Sequence, residues 1–453
     1  MLDDDALLAI FEFCVDEEIY KGRYAWHTLV HVCRRWRGVI FESPRRLNLR
    51  LVCGAETPAR DMLDIWPALP LVIQCFGGLQ IEEVDDIVAV LERSNRVSQI
   101  NLMNIPSSCL EKISMAMQEP FPELTYVSLW SDDNMVLPNS FLGGSTPRLR
   151  HLYFRGIPFP GIPKLLLSAT HLVDLQLSDI PHSGYFPPDA VVTTLSTLTS
   201  LRELHLKFQS PLSRPNRAGQ RPPPSTCFVL PVLTDFWFKG VTEYLDDLVT
   251  HIDAPQLSSL YITFFNQIVF DTPQLVQFIS RTPTLKLLGS ASLTFDAGAA
   301  RVELAARTTD YGHLEVKIPC LKLDWQISSM EQVCTSCLPP LSMVKDVYIN
   351  DSPNFPSYRR LLRGNIENAL CLELLHPFTA VKKMYLSDKF ARLLSPALQE
   401  LVGGRTTEVL PILEYIYLEG FWPSGDNLFE GIHQFVASRQ VTGHPIALSH
   451  WDR

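Results

Sequence analysis

Residues able to do chemistry are scattered along this chain rather than gathered into a motif. His27 and His31 stand four apart on a predicted helix, a spacing that can chelate zinc. The intervening Thr-Leu-Val supplies no Glu for a metalloprotease, and both histidines fall on the polar side, so solvated imidazoles are expected. Cys334-Thr-Ser-Cys337 is a lone CxxC, whereas a structural zinc site needs four ligands and no second close pair follows. Two small apolar thiols on one face of a helix are the expectation there. The sequence has no GxxxxGK[ST] phosphate loop, no GxGxxG and no GxSxG elbow. The paired carboxylates Asp85-Asp86 and Asp246-Asp247 lie in amphipathic helices and are read as solvated faces. No catalytic residue, no metal site and no cofactor is predicted, and the chain is not expected to be an enzyme.

The elements that carry these residues repeat. LRHLYF begins at Leu149, LVDLQL at Leu172, LRELHL at Leu201, LTDFWF at Leu233 and LSSLYI at Leu257. Looser copies begin at Val97, Leu124, Val344, Val381 and Leu413. From Leu124 the steps are 25, 23, 29, 32 and 24 residues. Self-similarity at this period marks a stacked solenoid, in which no repeat buries its apolar face alone. The predicted fold class is α/β: a small helical head, then an irregular leucine-rich-repeat solenoid with a concave parallel sheet. Residues 290–325 break the cadence and are expected as consecutive short strands, SLTF, RVELA and HLEVKI, followed by a helix.

In LxxLxL the leucines point inward and the residues between them point out. The central outward positions are Ser128, Tyr153, Gln176, His205, Trp237, Tyr261, Tyr348, Tyr385 and Tyr417. Of these, Tyr153, His205, Trp237, Tyr261, Tyr348, Tyr385 and Tyr417 are candidate target-binding residues, because rigid aromatic side chains are enriched at binding hot spots. The alternative is that they only stack across neighbouring strands. His151, Arg155, Asp174, Glu203, Lys207, Asp235 and Lys239 flank them with mixed charge, which suits a protein partner better than a phosphate backbone.

A chain of 453 residues with 46% hydrophobic and 19% charged residues reads as folded. Its net charge of −10 argues against a general nucleic-acid or anionic-membrane surface. The acidic start MLDDDALLAIFEF is not a secretory signal, and the apolar stretch from Ile65 to Ile81 is broken by prolines. No membrane association is expected. Ten scattered cysteines read as reduced thiols, which places the chain in the cytoplasm and/or nucleus.

The head is a different object. A helix is predicted from Asp4 to Val15, with Leu7, Ile10, Phe11 and Cys14 as a stripe and Asp3 to Asp5 as caps. A second is predicted from Tyr24 to Phe41, with Trp26, Leu29, Val30, Cys33, Trp36 and Ile40 on one face. Forty residues cannot bury this much apolar surface alone. The surplus is either a partner interface or a cap on the repeats.

Leu2 and the acids after it, LLAIF, and VCRRWR from Val32 to Arg37 resemble an F-box. The run onward through SPRRLNLRLVC is similar to the F-box and leucine-rich-repeat proteins of mushroom-forming fungi. Asp3 stands where that family usually carries Pro. The resemblance implies a substrate-recognition subunit of an SCF-type ubiquitin ligase, partnered by a Skp-family adaptor and through it a cullin–RING ligase, with a target protein on the repeats. It assigns adaptor binding to Leu2, Leu7, Leu8, Ile10, Phe11, Val32, Cys33 and Trp36. The alternative is a leucine-rich-repeat scaffold whose head is only a structural cap.

The expected domains are therefore the F-box at 1–46, a junction and N-terminal cap at 47–96, repeats at 97–424 and a C-terminal cap at 425–453. Within the repeats, 211–225 is a Pro- and Arg-rich exposed loop, a tolerated insertion or a basic arm for an acidic or phosphorylated segment. Residues 285–325 are the irregular β-rich repeats.

Overall fold

A computed structural model describes residues 3–19, 25–44, 46–47, 49–54, 63, 68–75, 79, 83–132, 135–216, 227–306, 312–339, 341–351, 366–420 and 429–451. The chain forms two compact units, 1–172 and 173–453. The architecture is mixed α/β, with strands that are almost all parallel, as the alternation and the repeat predict. Among the described residues no helix is long and apolar enough to cross a membrane.

The first unit opens with three helices, α1 (Asp4–Ile19), α2 (Ala25–Val30) and α3 (Arg34–Glu42). The Asp3 carboxylate accepts from the Ala6 amide at 2.7 Å, and Asp4 and Asp5 complement the positive end of α1. Asp4 also pairs with Arg35 at 2.7 Å. The single second helix expected from Tyr24 to Phe41 is in fact two. His31 and Val32 donate to Thr28 and Leu29, three residues back, which tightens the last turn of α2 and ends it. Cys33 is then fully extended (φ −161°, ψ 168°), and its sulfur accepts from the Trp36 amide at 3.4 Å to start α3. The Arg37 guanidinium donates to the Val30 carbonyl at 3.0 Å, satisfying an orphan acceptor at the break. The apolar spacing runs unbroken through this turn, so periodicity alone cannot reveal it.

Five parallel strands follow, paired in chain order: β1 (Leu51–Cys53), β2 (Leu71–Cys75), β3 (Val97–Leu102), β4 (Tyr126–Trp130) and β5 (His151–Arg155). The sheet thus begins inside the stretch expected as a junction. Its helices pack side by side, as Val84–Leu91 does on Ser107–Ala116. Gly156 follows β5 at φ +69°, where a Cβ would lie 2.0 Å from the Ser131 carbonyl oxygen, so this turn accepts only glycine.

In the second unit β6 (Asp174–Ile180), β7 (Glu203–Phe208), β9 (Asp235–Gly240) and β11 (Ser259–Phe264) are parallel neighbours. A small separate pair joins β8 (Phe228–Val229) to β10 (Ile252–Asp253). The expected irregular strands are β12 (Ser290–Phe295), β13 (Ala299–Ala305) and β14 (His313–Pro319). Their spatial order is reversed: β14 lies beside β11, and β12 lies beside the next strand, β15 (Asp346–Asp351). Only β13 runs antiparallel among the described strands of this sheet. Then come β16 (Lys383–Leu386), β17 (Tyr415–Glu419) and β18 (Ala447–Trp451), all parallel. The stretch expected as a C-terminal cap, 425–453, contains the helix Glu430–Val441 and β18.

Alternation places the core. In β7, β9 and β11 the residues Leu204, Leu206, Phe236, Phe238, Leu260 and Ile262 are essentially inaccessible. Helix Thr242–Val249 packs against β9, and its buried Tyr244 donates to the Phe186 carbonyl at 3.1 Å. Burial of the apolar faces at about 25 cal/mol per Å² is the main favourable term.

Candidate functional site

Two surfaces carry the residues singled out in the sequence. The first is the head. Leu7, Leu8 and Phe11 are buried within the chain, and the Phe11 and Trp36 rings meet edge-on at 4.8 Å. These three apolar residues assigned to adaptor binding are thus already covered, because α1 closes on α2 and α3. Trp36 is half-buried. Ile10 at 45%, Val32 at 58% and the exposed Cys33 remain open to a partner. Leu2 lies outside the described residues.

The second surface is the outward face of the sheet in the second unit. Strand register sorts it into three lanes running across the strands. The central lane places His205, Trp237 and Tyr261 side by side. Trp237 and Tyr261 stack at 3.6 Å between centroids with 14° between planes, and His205 packs on Trp237 at 5.4 Å. Farther along, Tyr348, Tyr385 and Tyr417 stack at 4.3 and 4.5 Å. Trp451 of β18 meets Tyr385 edge-on at 5.4 Å. All six predicted aromatic and histidine positions of this unit are half-buried rather than open. The rings therefore pack on one another across neighbouring strands, each residue keeping part of its surface exposed.

The two aromatic runs are not continuous. The reversed strands insert Glu315, Glu303 and Ser292 between Tyr261 and Tyr348. Glu315 pairs with Arg301 at 3.3 Å, which offsets the like charges of Glu303 and Glu315 standing opposite each other, and the His313 ring nitrogen lies 3.5 Å from Glu303.

One flanking lane holds Asp174, Glu203 and Asp235. The other holds Lys207, Lys239, Thr263, Lys317 and Arg301 in register. Lys207 sits over the Trp237 ring at 4.8 Å, and Lys239 reaches Asp179 at 4.0 Å. Burial, and then the neighbouring Lys207, depress the His205 pKa to about 4 despite Asp235 and Asp174, so its imidazole is neutral at pH 7. Burial, followed by the flanking Tyr348 and Tyr417, pushes the Tyr385 phenol up to about 12.

Tyr153 belongs to the first unit, where it lies 5.4 Å from Tyr126 and stacks on His151 at 6.4 Å. Tyr126 opens β4 beside His151 of β5. Together with Arg50, Arg148, Arg150 and His171 they line a cavity that the leucine cadence does not disclose. The available signal was a basic residue just ahead of a strand, as in LNLRLVC and PRLRHLYF.

Cys334 and Cys337 are buried in a π-turn, Val333–Cys337. Burial raises both thiols, that of Cys337 to about 12, which makes them poor nucleophiles. Among the described residues no group of His, Cys, Asp and Glu could hold a metal ion. The His27 side chain lies outside the described atoms, as does most of the 211–225 loop. Asp246 corrects the expectation of a solvated face: it is 6% exposed and accepts from the Gln274 and Leu275 amides at 2.9 and 3.1 Å. It caps the next helix, Pro273–Arg281. The chain matches no family model, and no curated protein matches it.

Proposed function

We propose that the chain is the substrate-recognition subunit of a Skp–cullin–F-box ubiquitin ligase. On this reading the three head helices are an F-box that docks on a Skp-family adaptor. The strand–helix units are leucine-rich repeats that hold a target protein on the outward face of the sheet. The chain contributes proximity and orientation, and the chemistry belongs to its partners.

The observation that carries the reading is the apolar surface left on the head. Ile10 and Val32 stand exposed at positions where the resemblance puts the adaptor, although Leu7, Leu8 and Phe11 fill the space between the helices. Those three residues build the head, and Ile10, Val32 and Cys33 face the partner. Co-expression with a Skp-type adaptor tests this. Val32→Asp places a charge in the interface at a site exposed in the free chain, so the fold is kept and co-purification is lost. Trp36 is a poorer probe because its ring packs on Phe11. An adaptor complex that survives Val32→Asp and Ile10→Asp sinks the docking assignment.

The internal burial of Leu7, Leu8 and Phe11 favours a second reading, a repeat scaffold whose head is only a cap. Under it, the unmodified chain captures no adaptor.

A further inference from the structure

We propose that a basic groove at the strand-start side of the first unit binds a phosphoryl-bearing anion. The cavity there is ≈ 560 Å³. Arg50, Arg148, Arg150, His151 and His171 line it with Tyr126, and among the described residues no Asp or Glu does. This is a local inversion in a chain of net charge −10.

The fold brings these residues together from separate repeats. Arg50 directly precedes β1, Arg150 directly precedes β5, and register sets Gln99, Tyr126 and His151 on adjacent strands. Arg148 is also paired with the exposed Glu123. Arginine's planar fork matches phosphoryl oxygens with two parallel N–H donors, which a lysine cannot reproduce. Arg50 is half-buried, and desolvation lowers its pKa, so an anion would restore part of the stabilisation its charge loses on leaving water. Tyr126 and His151, 6.0 Å apart, add a hydroxyl and a ring nitrogen. The volume is that of a small-ligand site and exceeds what one phosphate ion fills. It suits either a small polyphosphate or a phosphorylated side chain with its neighbours. A nucleic-acid backbone would instead require a longer basic track.

The proposal does not rest on adaptor docking, so its test uses the full chain alone. Titration calorimetry is run with tripolyphosphate, with a phosphoserine peptide and with the unphosphorylated peptide. Binding of a phosphorylated probe is expected, weakened about tenfold or more by Arg50→Gln with Arg150→Gln. Tighter tripolyphosphate binding assigns a free polyanion. Peptide binding that requires the phosphate assigns a modified protein. The proposal is overturned if neither phosphorylated probe binds, or if the double variant, folded by circular dichroism, binds as well as the parent. Should the double variant not fold, Arg150→Gln alone, at an exposed position, carries the same comparison.

Discussion

His205 shows how a single outward residue is tuned by its neighbours. Its folded pKa of about 4 lies below its ordinary 6.5. As pH falls from 6.5 towards 4 the unfolded chain takes up a proton that the folded chain refuses. Stability therefore drops across that window and the loss levels off below it. Other groups titrate there too, so the measurement is the difference between the parent and His205→Asn in urea midpoint from pH 7 to 4.5. The parent is expected to lose more, and a ring titration by NMR should centre near 4. Trp237 is tuned by packing, through its 3.6 Å stack on Tyr261 and the Lys207 ammonium above it. Trp237→Ala should cost about 1 kcal/mol of pairing beyond the lost area, read by urea denaturation. Combined with Tyr261→Ala it should also weaken target capture while the chain stays folded. That these residues face outward was legible, because side-chain alternation along a strand is local. That they stack stood only as one of two alternatives, because partners 24 residues apart meet only through register.

Elements are joined by buried polar groups that periodicity cannot assign. Asp246 stands in a helix whose pattern suggests a wet carboxylate, yet the following helix brings its free amides onto it. Asp246→Ala should cost about 1–2 kcal/mol, and Asn, which also caps, should recover much of it in the same denaturation experiment. Arg439 is the larger case. It is fully buried, and its guanidinium donates to the Thr406 and Pro411 carbonyls at 3.0 and 3.1 Å, with longer bonds to Leu410 and Leu413. It holds the turn that leads into β17. Arg439→Met keeps volume but strands those acceptors, and a loss of about 2–3 kcal/mol is expected. Limited proteolysis should then cut first within 405–413. The two-helix reading of the head failed for a related reason: the Arg37 bond to Val30 that stabilises the break spans seven residues and leaves no trace in apolar spacing.

At the scale of the whole molecule, the head and the repeats make different demands on the chain. Amides of Leu7, Leu8 and Phe11 in α1 should exchange slowly in the isolated protein, since these side chains are buried. If the head docks an adaptor, the added protection should fall at His31 to Cys33, in the turn between α2 and α3. Hydrogen exchange with and without a Skp-type adaptor reads this directly, and no gain there argues for the cap. By itself the sequence determined the mixed α/β class, the strands of the leucine cadence and of 290–319, and which of their residues turn inward. Period-two alternation and the LxxLxL pattern act within a few positions. The tertiary structure alone decided the rest: the reversed order of β12 to β14, which splits the aromatic row with Glu303 and Glu315, the internal burial of Leu7, Leu8 and Phe11 in the head, and the convergence of Arg50 with Arg150. Each depends on which distant segment becomes a neighbour, and non-local pairing is written in no single stretch of chain.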